Sequence, residues 1–136
     1  MKLVIDTNII FSALYNLDSP AGKLLVMAIE EKVELVSPIQ VKEELLRALK
    51  DKLGYTDREI KETVSALPVT WIEEEIFIDA MEEARSAISH EKDAPVIACA
   101  ITLKYDVLSG DRHFHPLIKP VVKTWKLASL EKMRLK

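Results

Sequence analysis

Two short apolar runs constrain this chain more than any other feature. Leu3-Val4-Ile5 and Val107-Leu108 contain no polar residue, and each runs into a turn that carries an aspartate. The first is followed by Asp6-Thr7-Asn8 and the second by Ser109-Gly110-Asp111. A strand covered on one face alternates apolar and polar residues, whereas one covered on both faces reads as unbroken apolar sequence. β-like runs at Val33–Ser37, Val69–Ile72 and Pro120–Thr124 complete a set of five with Lys2–Asp6 and Asp106–Ser109. Helical patterns fill most of the intervals, at Asn8–Leu17, Ala21–Glu31, Ile39–Leu53, Asp57–Ala66, Ile76–Ser89 and Ala94–Tyr105. Strands alternating with helices predict an α/β fold, a mostly parallel sheet of about five strands with helices on both faces. In such folds ligands bind just beyond the carboxyl ends of the strands, which directs attention to the two aspartate turns.

The chain's 136 residues suggest a single domain spanning 1–136, long enough to bury a core without staples. A lone cysteine, Cys99, excludes an internal disulfide and fits a reducing compartment. The first apolar run ends by residue 6, too short for a signal-peptide core or a membrane span. The expectation is a cytoplasmic protein with no membrane association. Its net charge of −3 argues against a general nucleic-acid coating protein. Residues 1–103 hold 11 Lys+Arg and 19 Asp+Glu, a balance of −8, whereas residues 104–136 hold 8 and 3, a balance of +5. A basic C-terminal third can present cations to a polyanion without making the whole surface adhesive; alternatively, the two regions are solvated faces that neutralise each other.

Four carboxylates stand where chemistry would need them. Asp6 and Asp111 follow strand exits, although each could equally cap a short helix. Asp93 precedes Ala94-Pro95, and proline in a first turn after aspartate is a strong helix start. The helix it opens carries almost no charge, so burial could bring Asp93 toward the sheet. Glu44 borders the apolar face formed by Val41, Leu45, Ala48 and Leu49, while an i+3 pairing with Arg47 would make it an ordinary surface residue. Oxygen donors with no Cys/His ligand set suit a hard cation, Mg²⁺ or Mn²⁺, that can polarise a phosphoryl oxygen and acidify a bound water. Neither GxxxxGK[ST] nor GxGxxG occurs, so no nucleotide-binding loop is indicated.

Taken in order, Val-Ile-Asp-Thr-Asn at 4–8, Ser-Pro-Ile-Gln-Val-Lys-Glu-Glu-Leu at 37–45, Lys-Asp-Ala-Pro-Val-Ile-Ala-Cys-Ala at 92–100 and Leu-Ser-Gly-Asp-Arg-His-Phe at 108–114 resemble the PIN-domain ribonucleases over essentially the whole chain. The resemblance implies an α/β/α sandwich in which Asp6, Glu44, Asp93 and Asp111 converge on Mg²⁺ or Mn²⁺ to hydrolyse RNA. Thr7, Asn8 and Ser109 would be polar support, with Asn8 and Ser109 fixing carboxylate rotamers. Small stand-alone relatives resemble toxins of toxin–antitoxin pairs, which implies a small inhibitory antitoxin protein and a homodimer. The sequence departs from many relatives at His113 and His90, where they carry acids. Imidazoles there could contact phosphate, support a metal-bound water or lie exposed in loops. Arg112, Lys119 and Lys123 are the candidates for holding the RNA backbone.

Two other readings compete with a metal-dependent endoribonuclease. One is a non-catalytic RNA- or protein-binding module on the same fold. The other is a phosphotransfer protein, since Asp6 also ends a first strand. An aspartyl-nucleophile phosphatase would want a second acid two residues later, where this chain has Asn8, and a receiver domain would want a pair of early acids, where residues 1–12 hold only Asp6.

Overall fold

A computed structural model describes residues 1–110 and 117–129. Among these residues five strands form one sheet: β1 (Lys2–Ile5), β2 (Glu34–Pro38), β3 (Val69–Ile72), β4 (Asp106–Ser109) and β5 (Thr124–Lys126). Their spatial order is β3-β2-β1-β4-β5, and every pairing is parallel. Among the described residues seven α-helices accompany them: α1 (Thr7–Tyr15), α2 (Pro20–Ile29), α3 (Ile39–Leu53), α4 (Asp57–Ala66), α5 (Glu74–Phe77), α6 (Met81–Ser86) and α7 (Ala94–Leu103). The result is the expected α/β/α sandwich, with a fully parallel sheet.

The unbroken apolar runs behave as their composition requires. Leu3, Val4, Ile5, Val107 and Leu108 are all 0% exposed, so the two central strands are covered on both faces. By the right-handed rule for parallel crossovers, α1–α4 belong on one face and α5–α7 on the other, and the helices pack accordingly, α1 against α2 and α3, α3 against α4, and α7 against α5 and α6. On the second face α7 lies against β1, β2 and β4, and its residues Ala94 and Val96–Ala100 are buried. Cys99 belongs to this core, and burial pushes its thiol up to about 12, so it packs as a small apolar residue.

Several expected elements differ in their bounds. The helical stretch 76–89 begins earlier, at Glu74, where acidic residues suit a helix N-terminus, and then breaks. A 3₁₀ turn over Ile78–Ala80 separates α5 from α6. Past Ser86 the Ala87 carbonyl accepts a hydrogen bond from the Ile118 amide at 2.7 Å, which ties down the backbone where the helix ends. The last strand was expected at Pro120–Thr124 and runs instead over Thr124–Lys126. Proline has no N–H for the ladder, and Val107 first meets this segment by donating to the Lys123 carbonyl at 2.9 Å. Finally, α7 stops at Leu103 because Lys104 takes a left-handed conformation, φ 61°.

In this strand order the chain leaves β1 toward β2 and β3 and later returns to β4 on the other side. The boundary between β1 and β4 is therefore the topological switch point, where a crevice opens beyond the strand ends.

Candidate active site

Asp6 closes β1 and caps α1 at once. One carboxylate oxygen, Oδ1, accepts the Ile9 amide at 3.1 Å. The capping reading of this residue is therefore correct, and it leaves the second oxygen for other work. Glu44 comes from α3 on one face of the sheet, and Asp93 from the start of α7 on the other. Both line a cleft of about 350 Å³ with Asp6, Thr7, Asn8, Val41, Lys52, His90, Lys92 and Val96. Asp93 occupies the N-cap position of α7, yet its side chain makes no capping hydrogen bond.

The electrostatics tie the three acids together. Burial first, and then the charges of Asp93 and Glu44, push the Asp6 carboxyl up from 3.8 to about 6. Backbone N–H groups of Ile9 and Asn8 act in the opposite direction without cancelling the rise. Repulsion of this kind favours a proton or a cation among the carboxylates. Their oxygen chemistry fits a hard divalent ion. Among the described residues, however, no group of three His, Cys, Asp or Glu side chains is gathered closely enough to hold an ion by itself.

Asp111, Arg112 and His113 lie outside the described residues. The approach to Asp111 is nonetheless defined. Ile5 pairs with Leu108, so Asp6 and Ser109 leave the sheet side by side. Gly110 comes so close to α1 that a Cβ on it would stand 3.4 Å from the Asn8 Cβ.

The expected supporting residues stand at the exits of β1 and β4. Thr7 is buried, and Asn8 contributes its backbone amide to Asp6 while its side chain is exposed at the cleft. Ser109 is buried, and its hydroxyl donates to the Trp125 carbonyl at 3.4 Å, joining β4 to β5. The hydroxyl that braces the β1 exit is Ser37, fully buried at the end of β2 and donating to the Ile5 carbonyl, one residue before Asp6. Its partner lies 32 residues away, so the role could be found only through strand pairing.

Of the expected cations, Lys119 is exposed in the segment before β5 and does not line the cleft. Lys123 lies at the opposite end of the sheet. With the strand beginning at Thr124 it precedes β5, its ammonium over the Trp125 ring at 4.3 Å and its neighbours Lys104, Tyr105 and Asp106. Lys126, paired with Ser109, takes the place at the strand exit that Lys123 was expected to hold. Two lysines that the sequence did not single out line the cleft instead. Lys52 stands in the last turn of α3, and Lys92 sets its ammonium 3.7 Å from the Glu44 carboxylate. His90 is exposed at the rim.

A family model described as PIN domain matches residues 4–134. The chain belongs to the PIN-domain family. Its PIN domain has a nuclease-type fold, and the acidic cleft lies at the exit of β1, between α3 and the start of α7. A search of curated proteins returns no match. No helix among the described residues is long and apolar enough to cross a membrane.

Proposed function

We propose that this PIN domain, a single domain over 1–136, is a metal-dependent endoribonuclease that hydrolyses RNA phosphodiester bonds. The observation that carries the reading is one cleft shared by carboxylates from three separate elements, with enough mutual repulsion to help raise the Asp6 carboxyl to about 6. Asp6, Glu44 and Asp93, joined by Asp111, would hold Mg²⁺ or Mn²⁺. That ion would supply Lewis-acid polarisation of the phosphoryl oxygen and a more acidic water. The chain's own part is positional. The Ile9 amide fixes one oxygen of Asp6, and Ser37 braces the strand end behind it. Glu44, on the opposite wall from Asp93, is placed to orient a water or to complete the ligand set.

A basic partner for Glu44 is already present in Lys92. That lysine offers a phosphate contact once the carboxylate has a stronger cation to face. The further reading, a cytoplasmic toxin held by a small antitoxin protein and working as a homodimer, rests on the family's small stand-alone members. Sequencing of RNA ends after induced expression tests the function. New 5′ ends should accumulate with the wild type and not with Asp6→Asn. Identical end profiles from the two proteins would refute it.

A further inference from the structure

The α1 side of the cleft carries chemistry that the carboxylates do not use. Lys52 lines the cleft beside Asp6, Thr7 and Asn8, and its ammonium stands 5.6 Å from the centroid of the Phe11 ring. Phe11 in turn stacks on Tyr15, one helical turn farther along α1, with centroids 6.5 Å apart and planes 17° from parallel. Tyr15 is 73% exposed. A ring so open contributes little to the core, yet it is held in register by the ring beside it. From the carboxylates outward the order is a cation, a part-buried ring and an open ring. With Lys92 on the other side, the acidic cleft is flanked by two ammonium groups.

This alternation matches the chemistry of a single-stranded nucleic acid. Its phosphates seek cations, and its unpaired bases offer π-faces to aromatic side chains. A duplex presents phosphates as well, but its bases are stacked on one another and have no face to give.

We propose that Lys52, Phe11 and Tyr15 form a strand-holding subsite for unpaired RNA. Lys52 pairs with a phosphate neighbouring the scissile one, and the Tyr15 ring, supported by Phe11, stacks on an unpaired base. The inference rests on the nuclease reading and adds to it the residues that hold the strand beside the cleft. It also routes the strand along α1 and the end of α3. Lys123, at the far end of the sheet, has no part in it.

The test uses the full chain as Asp6→Asn, which binds without cutting, and a fluorescently labelled single-stranded RNA in Mg²⁺. Each stacked base is worth about 1–3 kcal/mol by alanine substitution, so Tyr15→Ala should weaken binding roughly 5- to 150-fold. Tyr15→Phe should restore it. Lys52→Gln should reduce the slope of log affinity against log salt by about 0.7, the contribution of one phosphate on a single strand. Abasic sites introduced one at a time should reveal one position that weakens binding when Tyr15 is present and has no effect in Tyr15→Ala. A blunt, fully paired duplex of the same composition should not distinguish Tyr15→Ala from its parent. If the unsubstituted protein cleaves RNA while both variants bind the strand unchanged, the subsite is refuted and the nuclease reading stands; the exposed pair then belongs to a protein partner. If the unsubstituted protein neither cleaves nor binds RNA, both readings fall together.

Discussion

Asp6 does two jobs whose electrostatic demands conflict. As a cap it benefits from being ionised, because its Oδ1 accepts the Ile9 amide. As one of three acids in a cleft it is pushed toward the neutral form, first by burial and then by Asp93 and Glu44. A carboxyl raised in the folded state, to about 6 from 3.8, binds its proton more tightly folded than unfolded. It therefore contributes stability that is fully present below pH 3.8 and is lost as pH rises through 6, a change of about 3 kcal/mol at 1.36 kcal/mol per pKa unit. Asparagine keeps the capping oxygen and removes the charge. In EDTA at pH 7.5, Asp6→Asn should melt several degrees above the wild type, and the gap should close as pH falls from 6 toward 4. Equal melting temperatures at pH 7.5 would show that neither burial nor the neighbouring acids penalise the charge on Asp6. Asp6 was legible because it ends a strand with no other polar residue after Lys2. Ser37 was not, because the carbonyl it braces belongs to a strand adjacent in space and distant in sequence.

At the scale of elements, the sequence reads well where apolar periodicity and caps agree. Helix α3 was placed at its observed bounds, as was α4, whose Thr56 and Glu59 form a reciprocal capping box. It reads poorly where the backbone rather than the pattern decides. The β-like composition of Val121-Val122 suggested a strand that the ladder reaches only at Thr124, and that difference moved Lys123 from the exit of β5 to its entry. The start of α2 shows a constraint of another kind. Ser19 caps it through the Gly22 amide at 3.2 Å, and Gly22 sits so close to the preceding turn that a Cβ would stand 2.1 Å from the Leu17 carbonyl oxygen. Neither atom can yield without moving backbone. Gly22→Ala should destabilise the protein by about 1–3 kcal/mol despite alanine's better helix propensity. Chemical denaturation measures this directly, and an unchanged or higher midpoint would mean that the α1–α2 turn relaxes freely.

For the molecule as a whole, the parallel sheet and its two helical layers followed from unbroken apolar strands separated by helices. The order β3-β2-β1-β4-β5 did not follow from any one segment, because strand adjacency is a property of packing. That order is what turns dispersed acids into a site. It sets β1 beside β4, lets α3 and α7 approach from opposite faces, and brings Glu44 and Asp93 to one cleft with Asp6. The same topology explains why an acidic body need not repel its substrate. Lys52 and Lys92 line the cleft itself, a local arrangement that the opposite net charges of residues 1–103 and 104–136 do not reveal. The central claim is that these carboxylates act together as a metal-dependent ribonuclease centre. Its most direct test is cleavage of a single-stranded RNA by the purified protein in Mn²⁺ or Mg²⁺, with Asp6→Asn and Asp111→Asn measured beside it. Cleavage should stop in EDTA, and each folded variant should lose activity by at least about a hundredfold, as removal of a group that stabilises transition-state charge does. Full activity in either folded variant, or cleavage undiminished by EDTA, would contradict it.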